Sequence, residues 1–210
     1  MHNPTPVEMS HPFPSVATYL ESLPNGVASY PECTVKASVL RSNLEDRPLG
    51  PDVPLPPEVR ALVERPPPVS VWLPEVHVAV VMLAVREVHF GPPEFAGYLD
   101  WVFDRNRQFL STTLYRAMFL LVSPERLLVG MQKRWASFRR GSEIRVTRQA
   151  RSDIDLSIVG PPHLYPVPVL EGMGQALRAA ITCAGAANAR VDVAKLSPTE
   201  GRVRLAWGSA

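Results

Sequence analysis

The five histidines, His2, His11, His77, His89 and His163, are where a metal site or a general base would be sought, and they are scattered along the chain. His77 and His89 fall on one predicted helix. Their spacing of twelve residues leaves them about 120° apart around its axis, which does not suit a shared ion. No Cys/His spacing of the usual zinc kind occurs, so no metal is expected. The two cysteines, Cys33 and Cys183, are too few for a disulfide framework and fit a reducing cytoplasm. Cys183 lies on the apolar side of its predicted helix, where cysteine behaves as a small hydrophobe. Asp153 and Asp155 project from one face of a predicted strand, as paired-carboxylate chemistry would need. Arginines fall beside them, however, and the reading preferred is a surface charge ladder. There is no Gly-x-Ser-x-Gly nucleophile turn. Gly172-x-Gly174 sits inside a predicted helix instead of following a strand, so it fails the test of a phosphate loop and reads as a place of close packing. No enzymatic activity and no cofactor is expected.

One cluster remains. Arg126, Lys133, Arg134, Arg139, Arg140, Arg145, Arg148 and Arg151 are opposed only by Glu125 and Glu143, with Trp135 and Phe138 interleaved. Such a segment could take phosphate groups, nucleic acid or an acidic partner surface, with Arg134, Arg139 and Arg140 as the candidate patch. The plainer reading is a solvated helix C-terminus, where cations complement the dipole, leading into an exposed hairpin. Trp135 and Phe138 would then belong to the core face. A formal net charge of +2 favours the plainer reading, and nucleic acid is not expected as a partner.

The elements that must position these residues follow from composition and period. The chain has 210 residues, 46% hydrophobic and 20% charged, an ordinary globular composition of about one domain. The longest apolar run, Val78 to Val85, is eight residues where about 20 would cross a bilayer. The first twenty residues lack a basic start followed by an apolar stretch, so no secretory signal and no membrane association is expected. Of 23 prolines, 17 precede residue 94, which makes the first part irregular and the rest continuous. Residues 1–29 read as a proline-rich tail with one short helix over Ser15 to Leu23, and residues 30–210 as one α+β domain, helical to about 140 and sheet-forming over about 141–208.

Thr34 to Leu40 suits a strand or a helix, residues 41–57 a loop, and Pro57 to Glu64 a short helix. Longer helices are predicted over Glu75 to Phe90, Pro93 to Leu110, Leu114 to Leu121 and Pro124 to about Phe138. From Gly141 the period becomes two. Arg145 should pair with Asp155 or its neighbour two along, and Ile144 with Leu156 or Ile158, through a connection of three or five residues around Ala150, since an even-length one would put the apolar residues on opposite faces. A helix from about Val169 ending at Gly185, and strands over Ala189 to Leu196 and Arg202 to Trp207, complete a ββαββ antiparallel unit.

In that order, Thr34-Val35-Lys36, Met118-Phe119-Leu120, Ser123-Pro124-Glu125-Arg126-Leu127, the Gly172 helix closing on Cys183-Ala184-Gly185-Ala186, and Val203-Arg204-Leu205-Ala206-Trp207 resemble a paralogous family of uncharacterised proteins expanded in myxobacteria, labelled a domain of unknown function. The resemblance spans about residues 31–207, with Ala37 where the family pattern has glycine. It implies a fold related to haem–nitric-oxide-binding domains, four-vinyl-reductase-type sensor domains and vesicle-tethering subunits, in modules that are often dimeric through their helices. It does not imply haem here, because the Tyr-x-Ser-x-Arg motif of the haem members is absent and neither His77 nor His89 has support as an axial ligand.

The expectation is therefore a non-enzymatic cytoplasmic sensory or regulatory module that binds a small apolar ligand between helices and sheet. Phe95, Leu99, Phe103, Met118 and Met173 are the candidate pocket residues. The alternative is a protein-interaction or scaffold subunit that pairs through its helices with a second copy or another protein. Polyanion binding by the 126–151 segment is a third and weaker reading. A cavity of about 300–1,000 Å³ would favour the first. Exposed apolar residues between Pro74 and Leu110 would favour the second.

Overall fold

The structure, a computed structural model, describes residues 13–91, 95, 97–111 and 122–208. Among these the helices are α1 (Pro14–Ser22), α2 (Ala37–Asp46), α3 (Pro57–Glu64), α4 (Glu75–Phe90), α5 (Tyr98–Leu110), α6 (Pro124–Arg134) and α7 (Val167–Cys183). The strands are β1 (Thr34–Lys36), β2 (Trp72–Pro74), β3 (Arg139–Arg140), β4 (Glu143–Ala150), β5 (Asp153–Val159), β6 (Ala187–Ser197) and β7 (Glu200–Gly208). The class is α+β. The helix predicted over Leu114 to Leu121, and Met118 with it, lies outside the described residues.

Helix α4 runs through the core. The sequence suggests one stripe of Val78, Val81, Met82 and Val85, yet Val76, Ala79, Val80, Leu83 and Ala84 are buried as well. A helix that is apolar all round has to be covered all round. Here α1, α2, α3 and α7 each lie against it. Helix α1 docks through Val16 and Tyr19, both buried, so the short helix in the proline-rich segment contributes to the core. Its first turn is tied down where the Ser15 backbone N–H donates to Glu87 Oε1 at 2.7 Å.

The choice left open over Thr34 to Leu40 resolves into both structures, with the strand ending at Lys36 and the helix beginning at Ala37. That helix continues to Asp46, into residues expected to be loop. Leu40 and Leu44, four apart, face inward and hold it. Strand β1 is the middle of a small antiparallel sheet of order β2-β1-β3, which three residues and two residues of edge strand were too short to announce by periodicity. Helix α5 begins five residues later than expected, after Gly97 at φ +81°, a left-handed conformation that glycine adopts without strain.

The larger sheet is antiparallel with order β4-β5-β7-β6. Its inner face carries Ile144, Ile154, Leu156, Ile158, Val203 and Leu205, all buried, and α7 covers it with Leu170, Met173, Leu177 and Ile181. Gly174 permits this approach, since a Cβ there would stand 2.7 Å from Val193 Cγ2 and 3.1 Å from Val191 Cγ2. The helix closes at Gly185, φ +93°, where Ala186 N–H donates to Ile181 O and Gly185 N–H to Thr182 O. This is a Schellman end.

The first hairpin corrects the rule applied to it. Ala150 pairs with Asp153, a two-residue connection, although an even length was expected to put the apolar residues out of phase. A bulge at Thr147 restores the phase: Arg148 pairs with Asp155 on one side of it and Val146 with Leu156 on the other. One extra residue on one strand shifts the register by one, which exchanges the allowed parity of the turn. Thr147 Oγ1 donates to Asp155 O at 3.1 Å and fixes the bulge. On the outer face Arg148 lies 2.7 Å from Asp153 and 2.8 Å from Asp155, and Arg204 lies 2.7 Å from Asp153. The two carboxylates are thus rungs of a charge ladder.

Candidate functional site

The small sheet and α4 meet at a buried ion pair. Glu75, the first residue of α4, is 2% exposed, and the Arg139 side chain on β3 is 12% exposed; their carboxylate and guanidinium are in contact. Backbone pairing sets the meeting, because Glu75 N–H donates to Cys33 O at 2.8 Å and β1 pairs Val35 with Arg139. Burial pushes the Glu75 carboxyl up from its ordinary value, opposed by Arg139. Burial also acts to lower Arg139, but Glu75 and Tyr165 outweigh it and hold the guanidinium charged. Glu75 Oε2 is buried without a hydrogen-bond partner among the described residues.

Around the pair, the Arg139 guanidinium lies 5.5 Å from the Trp135 ring centroid and 5.9 Å from that of Tyr165. Ser142 Oγ accepts from Tyr165 O–H at 2.8 Å and from Trp135 Nε1–H at 3.2 Å. Tyr19 completes the group from α1, donating to Leu164 O at 2.9 Å.

Tyr19 and Tyr165 also line a cleft of about 550 Å³. One wall is α1, with Pro14, Ser15, Thr18, Tyr19 and Ser22. The floor includes Leu83 of α4, and the other wall is the segment from His163 to Pro168 with Lys195 of β6. The wall segment is held by backbone and side chain alike. His163, in the left-handed region at φ +61°, donates its N–H to Pro198 O at 2.7 Å, and Tyr30 O–H donates to Pro162 O at 3.0 Å. Lys195 Nζ donates to Tyr165 O at 3.0 Å and to Pro198 O at 3.1 Å. Among the described residues no acid pairs with that ammonium, and its burial lowers its pKa. The lining contains no Asp or Glu.

None of the four described candidate pocket residues, Phe95, Leu99, Phe103 and Met173, is among those lining this cleft. Phe95 precedes α5 at φ +52° and is covered by the Arg86 guanidinium at 3.4 Å. Leu99 is half-buried on α5. Phe103 is half-buried beneath the Arg178 guanidinium at 4.2 Å, and Met173 is core between α7 and the sheet. Met118 lies outside the described residues. The ligand-sized volume is thus lined by other residues, of α1, α4, the 163–168 segment and β6.

The basic patch is not assembled either. Arg134 is exposed at the end of α6, Arg139 is turned into the core onto Glu75, and Arg140 lies 3.9 Å over the Trp72 ring. Trp135 is buried as expected of a core face, but Phe138 is 48% exposed, because α6 gives way to a short 3-10 turn over Trp135–Ser137 before Phe138 could continue the helical face.

Two residues were missed in the sequence. Lys195 had a signal: Val191, Val193 and Lys195 are two apart, and in register they face Leu205, Val203 and Gly201, so the period that buries the valines brings the lysine to the same face. Glu75 reads as an ordinary first-turn acid, and nothing local distinguishes it. Its partner is set by β3, two residues long.

In comparison with known proteins, a family model described as "Protein of unknown function (DUF2378)" matches residues 67–208. No match is found among curated proteins. The fold is similar to solved H-NOX structures. The Fe(II) unliganded H-NOX protein from K. algicida superposes with a TM-score of 0.54 at 8% identity, over 83% of this chain and 97% of that one. A single-substitution mutant of it gives 0.52 at 8% identity, and a Cs H-NOX mutant with an unnatural amino acid gives 0.50 at 12% identity, both over the same shares.

Proposed function

The chain belongs to that family, and we propose that it is a non-enzymatic sensory or regulatory module, acting in the cytoplasm, that takes a small, mostly apolar ligand in the cleft between α1, α4 and β6. The observation that carries this reading is the cleft: its volume of about 550 Å³ lies in the range of small-molecule sites, and its walls are apolar with a few polar groups. The fold shared with H-NOX proteins, one of them described as an Fe(II) form, agrees with a sensory role. No helix of the described residues is long and apolar enough to cross a membrane.

Haem is not the ligand proposed. His89 Nε2 is engaged with Pro48 O at 2.9 Å, His77 is engaged with the backbone of Val27, and His163 stands on the lip of the cleft in an exposed loop. His2 and His11 lie outside the described residues, and the Tyr-x-Ser-x-Arg motif is absent from the chain.

The second reading, a scaffold that pairs through its helices, draws on Val88 and Phe109, 40% and 46% exposed on α4 and α5. Native mass spectrometry of freshly purified, untagged protein separates the two. A non-covalent mass that stays with the chain and is lost on denaturation, and that fails to co-purify with a Leu83→Trp variant, is the result expected. A dimer of bare chains, with no small molecule retained in any preparation, would move the assignment to the scaffold.

A further inference from the structure

Resting on the cleft as the ligand site, we infer that its ligand is an amphiphilic monoanion, with a carboxylate or sulfonate-like group on Lys195 and an apolar body along α1 and Leu83. Lys195 reaches this place by strand parity, on the core-facing side of β6, and among the described residues its ammonium is met only by the carbonyls of Tyr165 and Pro198. Two neutral acceptors leave the charge of this half-buried group without an anionic partner there. A partly desolvated charge beside apolar walls gains from acquiring a counter-ion. Among the described residues no counter-ion is supplied, since no Asp or Glu of these lines the cleft and none forms a salt bridge with Lys195.

The exposed His163 ring stands at the same lip, and its backbone N–H shares the Pro198 carbonyl with Lys195. Among the described residues it is one of four non-glycine residues held at positive φ, a conformation that persists where surrounding contacts impose it and that collects at functional sites. A neutral apolar ligand would leave Lys195 as it is and gain only burial. A dianion or polyanion would bring more charge than one half-buried ammonium offsets. A single negative charge on an apolar body matches both features of the cleft.

The test uses two fluorescent probes with the same aromatic body, anilinonaphthalene sulfonate and the uncharged phenylnaphthylamine, titrated against the full chain. A charge-assisted hydrogen bond in a partly desolvated site is worth about tenfold or more in affinity. The sulfonate should therefore bind about tenfold tighter than the neutral probe. Lys195→Met should bring the ratio of the two affinities to about one, whatever it does to either affinity alone, and Lys195→Arg should retain the preference. Far-UV circular dichroism and urea unfolding show that each variant is folded. Equal binding of the two probes, or a preference that survives Lys195→Met, overturns the anion and leaves the cleft as an apolar site. Failure of both probes to bind overturns the anion and the cleft reading together.

Discussion

Replacing Arg139 by methionine tests whether the Glu75 pair is the buried link between the small sheet and the core. Methionine fills most of the space against Trp135 and Tyr165, so the packing loss is small and the main effect is electrostatic. Glu75 is 2% exposed and one of its oxygens lacks a partner among the described residues. Removing the guanidinium leaves a buried carboxylate without its counter-charge, which costs about 3–5 kcal/mol. That is a large share of a typical domain stability of about 5–15 kcal/mol. Urea unfolding followed by far-UV circular dichroism measures it.

The double variant Glu75→Met with Arg139→Met removes both charges and should return to within about 1 kcal/mol of the parent, since an apolar pair of similar volume replaces a buried ion pair at little cost. The pH dependence of the single variant has a definite sign. Burial raises the Glu75 carboxyl above its ordinary value of 4.5, and without Arg139 nothing opposes that rise. A carboxyl that holds its proton more tightly when folded stabilises the fold below its unfolded value and loses that contribution as pH climbs through the folded one. The single variant should therefore be least impaired below about pH 4.5 and most impaired at neutral pH. A cost under about 1 kcal/mol at neutral pH, or one of equal size at pH 4 and pH 8, would refute the account.

Two further outcomes follow from packing. Gly174→Ala gains about 1 kcal/mol of helix propensity but drives a Cβ to 2.7 Å from Val193 Cγ2. The methyl of a β-branched residue in a sheet cannot swing away, so overpacking should win and the net loss should be about 1–2 kcal/mol; a more stable variant in the same urea assay would contradict this. Cys33 is fully buried, donates to Gly141 O at 3.3 Å, and has its thiol pushed by burial up to about 11. A thiol-reactive dye at pH 7.5 should accordingly label the half-buried Cys183 first and Cys33 only on unfolding, and fast labelling of both cysteines in the native protein would place Cys33 wrongly.

Much of the fold was readable because long elements carry their own period. The helices over Pro57 to Glu64 and Glu75 to Phe90 start and stop where their prolines and glycine place them, and the ββαββ order follows from alternation in four strands and a Gly185 helix end. What was not readable depended on residues brought from elsewhere. The small sheet needs Thr34, Trp72 and Arg139, from three separate segments, and no strand of two or three residues has a measurable period. The bulge at Thr147 is a choice between two parities, each consistent with the same alternation on either side of it. The direction of Arg139 was hidden for the same reason: in the sequence it is one cation among eight, and only β1 turns it toward Glu75.

The cleft shows the same limit in its sharpest form. Phe95, Leu99, Phe103 and Met173, candidates for a pocket between helices and sheet, are not among the residues that line the cleft, since large apolar side chains on well-packed helices tend to fill space. A ligand-sized volume opens where packing is interrupted. Here that is the segment over residues 161–166, with Pro161, Pro162 and Pro166, which does not fold down as a regular element and is instead suspended from Tyr19, Tyr30 and Lys195 through the carbonyls of Leu164, Pro162 and Tyr165. Those three donors come from α1, the turn before β1, and β6. The polar residue that marks the site is therefore the one that breaks a strand's apolar face, Lys195 after Val191 and Val193, and a lysine on the inward parity of a strand is a better guide to a cleft than any number of phenylalanines on the inward face of a helix.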